Sequence, residues 1–257
     1  MTRRVGLIGN PLKRRHSQVM HDAAFDAAGI DARYVLLELE PDAVAPAVEE
    51  ARASDAWMGL GVTAPYKRVV AELVDDVEDD AVAIGAVNNV VRTDDGRLIG
   101  FNTDAPGFRA GVELALGRPL AGLHVAVAGA GGAAHAVVHA LLTSGVAGLT
   151  VGSRRREAAE ELAGGFADLG AASAVALGED DWTDALRGAD LAVNATTVGM
   201  VDPGMTIDVD ALPDHATVFD LVYVPPETPL LRAARARGLR AANGSEMLIQ
   251  QAAIAFR

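Results

Sequence analysis

The sequence predicts an α/β protein whose parallel sheet is covered by helices on both faces. Three observations carry that reading. From His124 onward, strand-like and helix-like stretches alternate with little interruption, the pattern of βαβ units. Val125 to Leu142 reads as a buried strand, a glycine turn and an apolar-faced helix in immediate succession. With 257 residues, 50% of them hydrophobic and 22% charged, the chain is long enough for one large or two modest cores, and disorder is not expected.

The glycine turn sets the first functional expectation. Gly129, Gly131 and Ala134 fit the dinucleotide pattern G-x-G-x-x-G/A. In that pattern the first glycine allows the tight turn, the second lets backbone amides approach a pyrophosphate, and a small third residue packs helix against strand. Gly129, Ala130, Gly131, Gly132 and Ala133 are therefore candidate cofactor-binding residues, with the pyrophosphate on the helix N-terminus where free N–H groups favour negative charge. After the second strand, Leu149–Val151, comes Ser153-Arg154-Arg155-Arg156, about where an NAD-specific fold carries an acidic ribose-binding residue. A guanidinium can bind a 2′-phosphate bidentately where a carboxylate would repel it. The expected cofactor is NADP, held by Ser153, Arg154 and Arg155.

The remaining elements follow from local pattern. Val5–Ile8 is a strand ended by Gly9-Asn10-Pro11, and 17–28 is a helix by its apolar spacing. Tyr34–Leu39 is a strand, Pro41–Arg52 a helix with proline at its start, and Trp57–Val62 a third strand. Pro65 then hands the chain to a helix opened by Lys67. Residues 87–92 and 97–101 form a hairpin around Asp94-Asp95-Gly96, and a helix follows Pro106. Later come a helix over 157–169, strands at 174–177, 191–194 and 218–220, a helix over 228–237 and a last helix beginning near Gly244.

Charge and composition exclude several classes. A formal net charge of −13 lacks the basic stripe of a nucleic-acid or anionic-membrane binder, so neither partner is expected, and any anionic ligand must meet a local basic site. The absence of cysteine removes disulfides, thiolate catalysis and cysteine-based zinc sites. The N-terminal apolar run is too short for a signal peptide, and no other run spans a membrane, so a cytoplasmic location is expected. His135 and His139 are spaced i, i+4 but have no third partner, and no metal site is expected. Trp57 and Trp182 read as packing residues.

Several ordered motifs together resemble the shikimate dehydrogenase family. They are Gly6-Leu-Ile-Gly-Asn-Pro11, Gly61-Val-Thr-Ala-Pro-Tyr-Lys67, Gly85-Ala-Val-Asn-Asn89, Gly100-Phe-Asn-Thr-Asp104 and Gly129-Ala-Gly-Gly-Ala133. To these add Asn194-Ala-Thr-Thr-Val-Gly-Met200, Asp220-Leu-Val-Tyr223 with Pro225 and Thr228-Pro229, and Gly244 before Met247-Leu248 and Gln251-Ala252. The resemblance implies two domains: a discontinuous α/β substrate domain, residues 1–104 plus 243–257, and a Rossmann NADP-binding domain, residues 105–242. It implies an NADP-dependent alcohol dehydrogenase acting on shikimate and 3-dehydroshikimate, or on a related hydroxylated cyclic carboxylate, as a monomer or homodimer.

Hydride transfer from a secondary alcohol also requires removal of the hydroxyl proton. By the resemblance, Lys67 and Asp104 flank that hydroxyl as the catalytic pair. Thr63, Asn88, Tyr223 and Gln251 carry over as substrate contacts, and Thr196, Leu221 and Gly244 as further cofactor contacts. The substrate carboxylate is where the chain departs from the family. Two serines usually follow Gly-Asn-Pro, whereas here the first position is Arg15 and only Ser17 remains. Arg15 either binds the carboxylate or fills its pocket. Gly61 stands where asparagine is common, and Ser245-Glu246 where small residues are usual. These departures leave two rivals: a relative acting on quinate or another hydroxy or keto acid, and a non-catalytic NADP-dependent sensor. The presence of Lys67 and Asp104 argues against the sensor.

Overall fold

The computed structural model describes residues 2–256. They divide into two compact units, one running to Thr103 and taken up again from Ala252, the other spanning Asp104–Gln251.

The first unit runs β1 (Arg3–Gly9), α1 (His16–Ala28), β2 (Ala32–Glu38), α2 (Pro41–Ala53), β3 (Trp57–Val62), α3 (Lys67–Ala71), β4 (Asp76–Val77), α4 (Asp79–Ile84), β5 (Asn89–Arg92) and β6 (Leu98–Phe101). Its sheet has the order β2-β1-β3-β5-β6-β4. β1 pairs in parallel with β2 and β3, while β5 is antiparallel to both β3 and β6. Alternation along the strands splits the apolar side chains between two faces. Ile8, Leu60, Val62 and Val90 join Val44 and Val48 of α2, Val70 of α3 and Tyr66 just ahead of α3 on one face. On the other, Tyr34 and Ala32 pack with Phe25 of α1, and Phe256 closes over them, its ring centroid 5.4 Å from that of Phe25.

The hairpin turns as its glycine requires. Thr93 N–H reaches Arg97 O at 2.9 Å, leaving a three-residue loop, Asp94-Asp95-Gly96, with Gly96 at φ 86°. Its first strand begins at Asn89 rather than residue 87. Val87 N–H bonds Lys67 O and Asn88 N–H bonds Phe101 O, so both residues serve the loops at this end of the sheet.

The second unit continues with α5 (Asp104–Leu116), β7 (His124–Ala128), α6 (Gly132–Thr143), β8 (Gly148–Ser153), α7 (Arg156–Gly165), β9 (Ser173–Ala176), α8 (Asp180–Arg187), β10 (Leu191–Asn194), β11 (Thr217–Asp220), α9 (Pro229–Ala236), β12 (Arg240–Asn243) and α10 (Ser245–Ala255). All its strand pairs are parallel, in the order β12-β11-β10-β7-β8-β9. This is the doubly wound arrangement in which the order reverses between the first and fourth strands. Ala126, Ala192 and Val218 pack beneath Trp182, Leu186 and Leu231 of α8 and α9. On the opposite face Phe219 meets Phe108 of α5 edge-on at 5.7 Å. Trp57 and Trp182 are both buried, with Nε1 bonded to Glu50 and to Thr206 O respectively.

Two helix boundaries differ from the sequence pattern by more than one residue. α5 begins at Asp104, two residues before Pro106, because a proline in the first turn removes an N–H that has no helical acceptor. α7 stops at Gly165 rather than running to 169, its end carrying Gly164 and Gly165, whose backbone loses most by staying helical. α10 lies along α5, where Gly107 and Gly111 let the backbone of Gln251 and Met247 approach.

Candidate functional site

In the first unit, parallel pairing brings the carboxyl ends of β1 and β3 to one edge, and the antiparallel β5 brings its start there too. Val62 N–H donates to Asn88 O at 2.8 Å, and Asn88 N–H to Phe101 O at 3.1 Å. Thr63, Lys67, Asn88 and Thr103 therefore stand at the same end of the sheet. Lys67 opens α3 and is half-buried. The residue before it, Tyr66, is buried and donates its hydroxyl to Leu39 O at 2.7 Å, which fixes where α3 begins.

A polar knot holds this edge. The buried Asn88 accepts the Thr103 N–H at 2.8 Å through Oδ1 and donates Nδ2 to Thr103 Oγ1 at 3.1 Å. Asn89 Nδ2 donates to both Asn88 Oδ1 and Thr103 Oγ1, at 2.9 and 2.8 Å. Asn102 donates to Ala86 O at 2.9 Å. Buried polar groups satisfied in this way are rigid, so Thr103 is held firmly at this end of the sheet. Asp104 is the next residue and sits half-buried in the first turn of α5. Asn89 and Thr103 were not singled out by sequence, although both lie inside motifs that were.

The loop after β1 is tied to the end of β2. Leu12 N–H reaches Glu38 Oε2 at 2.7 Å, and Asn10 Nδ2 donates to Leu39 O at 3.1 Å. Arg15 then occupies the position just ahead of α1, exposed and without a side-chain cap bond, and Ser17 is half-buried in the first turn. Gln18 donates Nε2 to Tyr34 O at 2.9 Å and so pins that turn to β2.

The second unit carries its candidate groups at the strand-order switch. Gly129 leaves β7 at φ 119°, and a Cβ there would come within 3.0 Å of the Ala195 backbone, so this turn needs glycine. Gly131 and Gly132 are exposed at the start of α6, and a Cβ on either would meet nothing within 4 Å. Ala130 is half-buried, Ala133 exposed and Ala134 fully buried against the sheet. The start of α6 therefore offers open backbone amides and the space a pyrophosphate needs. At the end of β8, Ser153 is half-buried, while Arg154 and Arg155 are exposed and take part in no ion pair among the described residues. Arg156 is engaged instead, with Glu179 at 2.6 Å and Asp181 at 3.6 Å.

Thr196 and Leu221 are held by a buried network that sequence pattern did not reveal. Asn194 and Asp220 end neighbouring strands and are paired in register, so their side chains fall on one face. Asp220, with no exposed surface, accepts from Asn194 Nδ2 at 2.8 Å, Thr228 Oγ1 at 2.6 Å and Val222 N–H at 3.0 Å. Asn194 Oδ1 in turn accepts from Thr196 N–H and Oγ1, at 3.2 and 2.7 Å. Burial pushes the Asp220 carboxyl above its ordinary range, and the three donors only partly oppose this. Gly244 lies so close to Leu221 that a Cβ would fall 2.2 Å from its carbonyl oxygen. Tyr223 is half-buried beyond β11, and Gln251 is half-buried on α10 with Nε2 on Leu248 O at 3.1 Å.

The chain is 42% identical, over 252 residues covering 97% of it and 88% of the relative, to the shikimate dehydrogenase (NADP(+)) of Sphingopyxis alaskensis. The chain belongs to the shikimate dehydrogenase family. The model of the shikimate dehydrogenase substrate binding domain matches residues 7–90. A crystal structure of shikimate 5-dehydrogenase from Thermus thermophilus in complex with NADP(H) and shikimate superposes with a TM-score of 0.87 at 36% identity, over 99% of this chain and 92% of that one. Quinate dehydrogenase from Corynebacterium glutamicum in complex with NAD gives 0.91 at 36% identity, over 100% and 93%.

Proposed function

We propose that the chain is an NADP-dependent oxidoreductase interconverting shikimate and 3-dehydroshikimate. The observation that carries the proposal is the gathering of Thr63, Lys67, Asn88 and Thr103, followed directly by Asp104, at one sheet end of a family member whose Lys67 and Asp104 are both present. Residues 1–104 with 243–257 take the substrate role in this reading, and residues 105–242 the cofactor role.

When bound, NADP supplies the carbon that accepts hydride from the alcohol carbon. Lys67 Nζ takes the hydroxyl proton during oxidation and returns it during reduction, and the Asp104 carboxylate orients the ammonium and the hydroxyl. Thr63, Asn88, Tyr223 and Gln251 bind the ring oxygens. Arg15 and Ser17 receive the carboxylate. Arg15 is exposed rather than packed into a cavity, which supports binding over blocking. Gly129 to Ala133 cradle the pyrophosphate, Ser153, Arg154 and Arg155 hold the 2′-phosphate, and Thr196, Leu221 and Gly244 line the remaining cofactor path. Among the described residues no helix is long and apolar enough to cross a membrane; we propose a cytoplasmic enzyme, monomeric or homodimeric.

The test follows NADPH formation with shikimate, quinate and a small panel of hydroxy acids, with Lys67→Ala as control. Shikimate turnover that falls about 10²–10⁴-fold in kcat for the variant is expected. Preference for quinate would favour the rival suggested by Arg15 and Gly61, and NADP binding without any turnover would favour a sensor. Undiminished turnover by Lys67→Ala would remove the catalytic assignment.

A further inference from the structure

Tyr34 and Tyr66 are equally buried, each 4% exposed, but their hydroxyls differ. Tyr66 donates to Leu39 O. The Tyr34 hydroxyl has no hydrogen-bond partner among the described residues, and its oxygen is not sealed from solvent. A buried tyrosine ring normally delivers its hydroxyl to an acceptor, and a hydroxyl still open to solvent can make that bond with a bound molecule.

Everything else about Tyr34 is fixed. Its N–H donates to Asp22 Oδ1 at 2.8 Å, and its carbonyl accepts from Gln18 Nε2 at 2.9 Å. Its ring stacks on His21 with centroids 4.5 Å apart and planes 5° from parallel. The backbone of Tyr34 is in register with Val5, and Val5 with Gly59. Its hydroxyl instead lies where a Cβ on Gly61 would be, 2.4 Å from that position. The side chain therefore leans two residues along the strands, roughly 7 Å, toward their carboxyl ends. That is the edge where Thr63, Lys67 and the Asn88 knot stand. Only a glycine at 61 leaves room for the phenol, because the side chain the family commonly has there would occupy the same space.

We propose that Tyr34 is a specificity-determining residue whose phenol donates a hydrogen bond to an oxygen of the bound hydroxylated cyclic carboxylate, in space that Gly61 leaves open. The inference rests on the substrate class proposed above. Burial holds the phenol well above its ordinary pKa, so it stays a donor suited to an anionic or hydroxyl oxygen. Gly61 and Tyr34 then act as one unit, the phenol supplying from β2 the polar group that the side chain at 61 does not.

The experiment compares the wild-type chain with Tyr34→Phe in steady-state kinetics on shikimate, quinate and the hydroxy-acid panel, together with thermal melting. Tyr34→Phe should raise KM for the preferred acid about 5–30-fold, as one lost hydrogen bond to an oxygen predicts. Its kcat, its KM for NADP and its melting temperature should stay close to wild type. A KM for the acid within twofold of wild type overturns the inference, as does a rise in both KM values accompanied by a lower melting temperature, which marks a structural role. A wild-type chain idle on every acid instead overturns the function on which the inference rests.

Discussion

Replacing Asp220 separates what the buried network does by shape from what it does by charge. In Asp220→Ala three donors lose their acceptor at once: Asn194 Nδ2, Thr228 Oγ1 and the Val222 N–H. Each buried unsatisfied donor costs about 1–3 kcal/mol, and because the three share one cavity their costs do not add in full, so a loss of about 3–5 kcal/mol is expected. Asp220→Asn keeps the shape. Its Oδ1 can still accept from Asn194 and Val222 while its new amide donates to Thr228 Oγ1, so the loss should stay within about 1 kcal/mol at pH 7. The charge shows in the pH dependence. A carboxyl whose folded pKa is raised binds more protons in the folded than in the unfolded state, so its contribution to stability improves as pH falls through the folded pKa toward the ordinary carboxylate range. Urea unfolding at pH 7 and pH 5 should show the wild type gaining on Asp220→Asn at the lower pH. Equal losses for the alanine and asparagine variants at pH 7, or a wild-type advantage that shrinks on acidification, would refute the reasoning. Because Asn194 also holds Thr196, Asp220→Ala should raise KM for NADP as well.

Arg154→Ala should raise KM for NADP about tenfold or more and leave KM for NAD little changed, since only NADP has the phosphate to lose; equal effects on the two cofactors would argue against a 2′-phosphate role. Arg15→Ser should raise KM for shikimate about tenfold or more if the exposed guanidinium holds the carboxylate, and a lowered KM would show instead that it obstructs the pocket. Burial lowers the His21 pKa, and the nearby Asp22 opposes this more weakly, so the unfolded chain binds the proton more readily. Stability should therefore fall as pH drops below about 6.5, and His21→Phe should flatten that part of a melting-temperature profile; an unchanged profile would mean that other groups set it.

Local chemistry already encoded much of this protein. The run of small residues after Val125–Ala128 requires a tight turn and an open helix start, whatever surrounds it, and Gly129, Gly131 and Gly132 supply both. Pro41 and Thr228-Pro229 mark helix starts through fixed backbone angles and a side-chain cap, which need no distant partner. The ordered motifs likewise point to Lys67 and Asp104 as a candidate pair without any tertiary contact. Elements that depend on neighbours were not legible. β12, Arg240–Asn243, has no strand-forming side chains and exists because β11 offers it a free edge. α8 is eight residues long, and its two buried side chains, Trp182 and Leu186, are too few to mark a helix along the chain until they are set against the second sheet. Within the sites, sequence named groups but could not say which were already committed. Only the folded structure shows Asn88 bound to Thr103, Arg156 bound to Glu179 while Arg154 and Arg155 stay exposed, and Asp220 paired across strands to Asn194. The same holds for Tyr34, which reads as an ordinary strand aromatic along the chain. Strand register and the bare backbone at Gly61, on a strand 27 residues later, carry its hydroxyl to the edge where the candidate substrate groups gather.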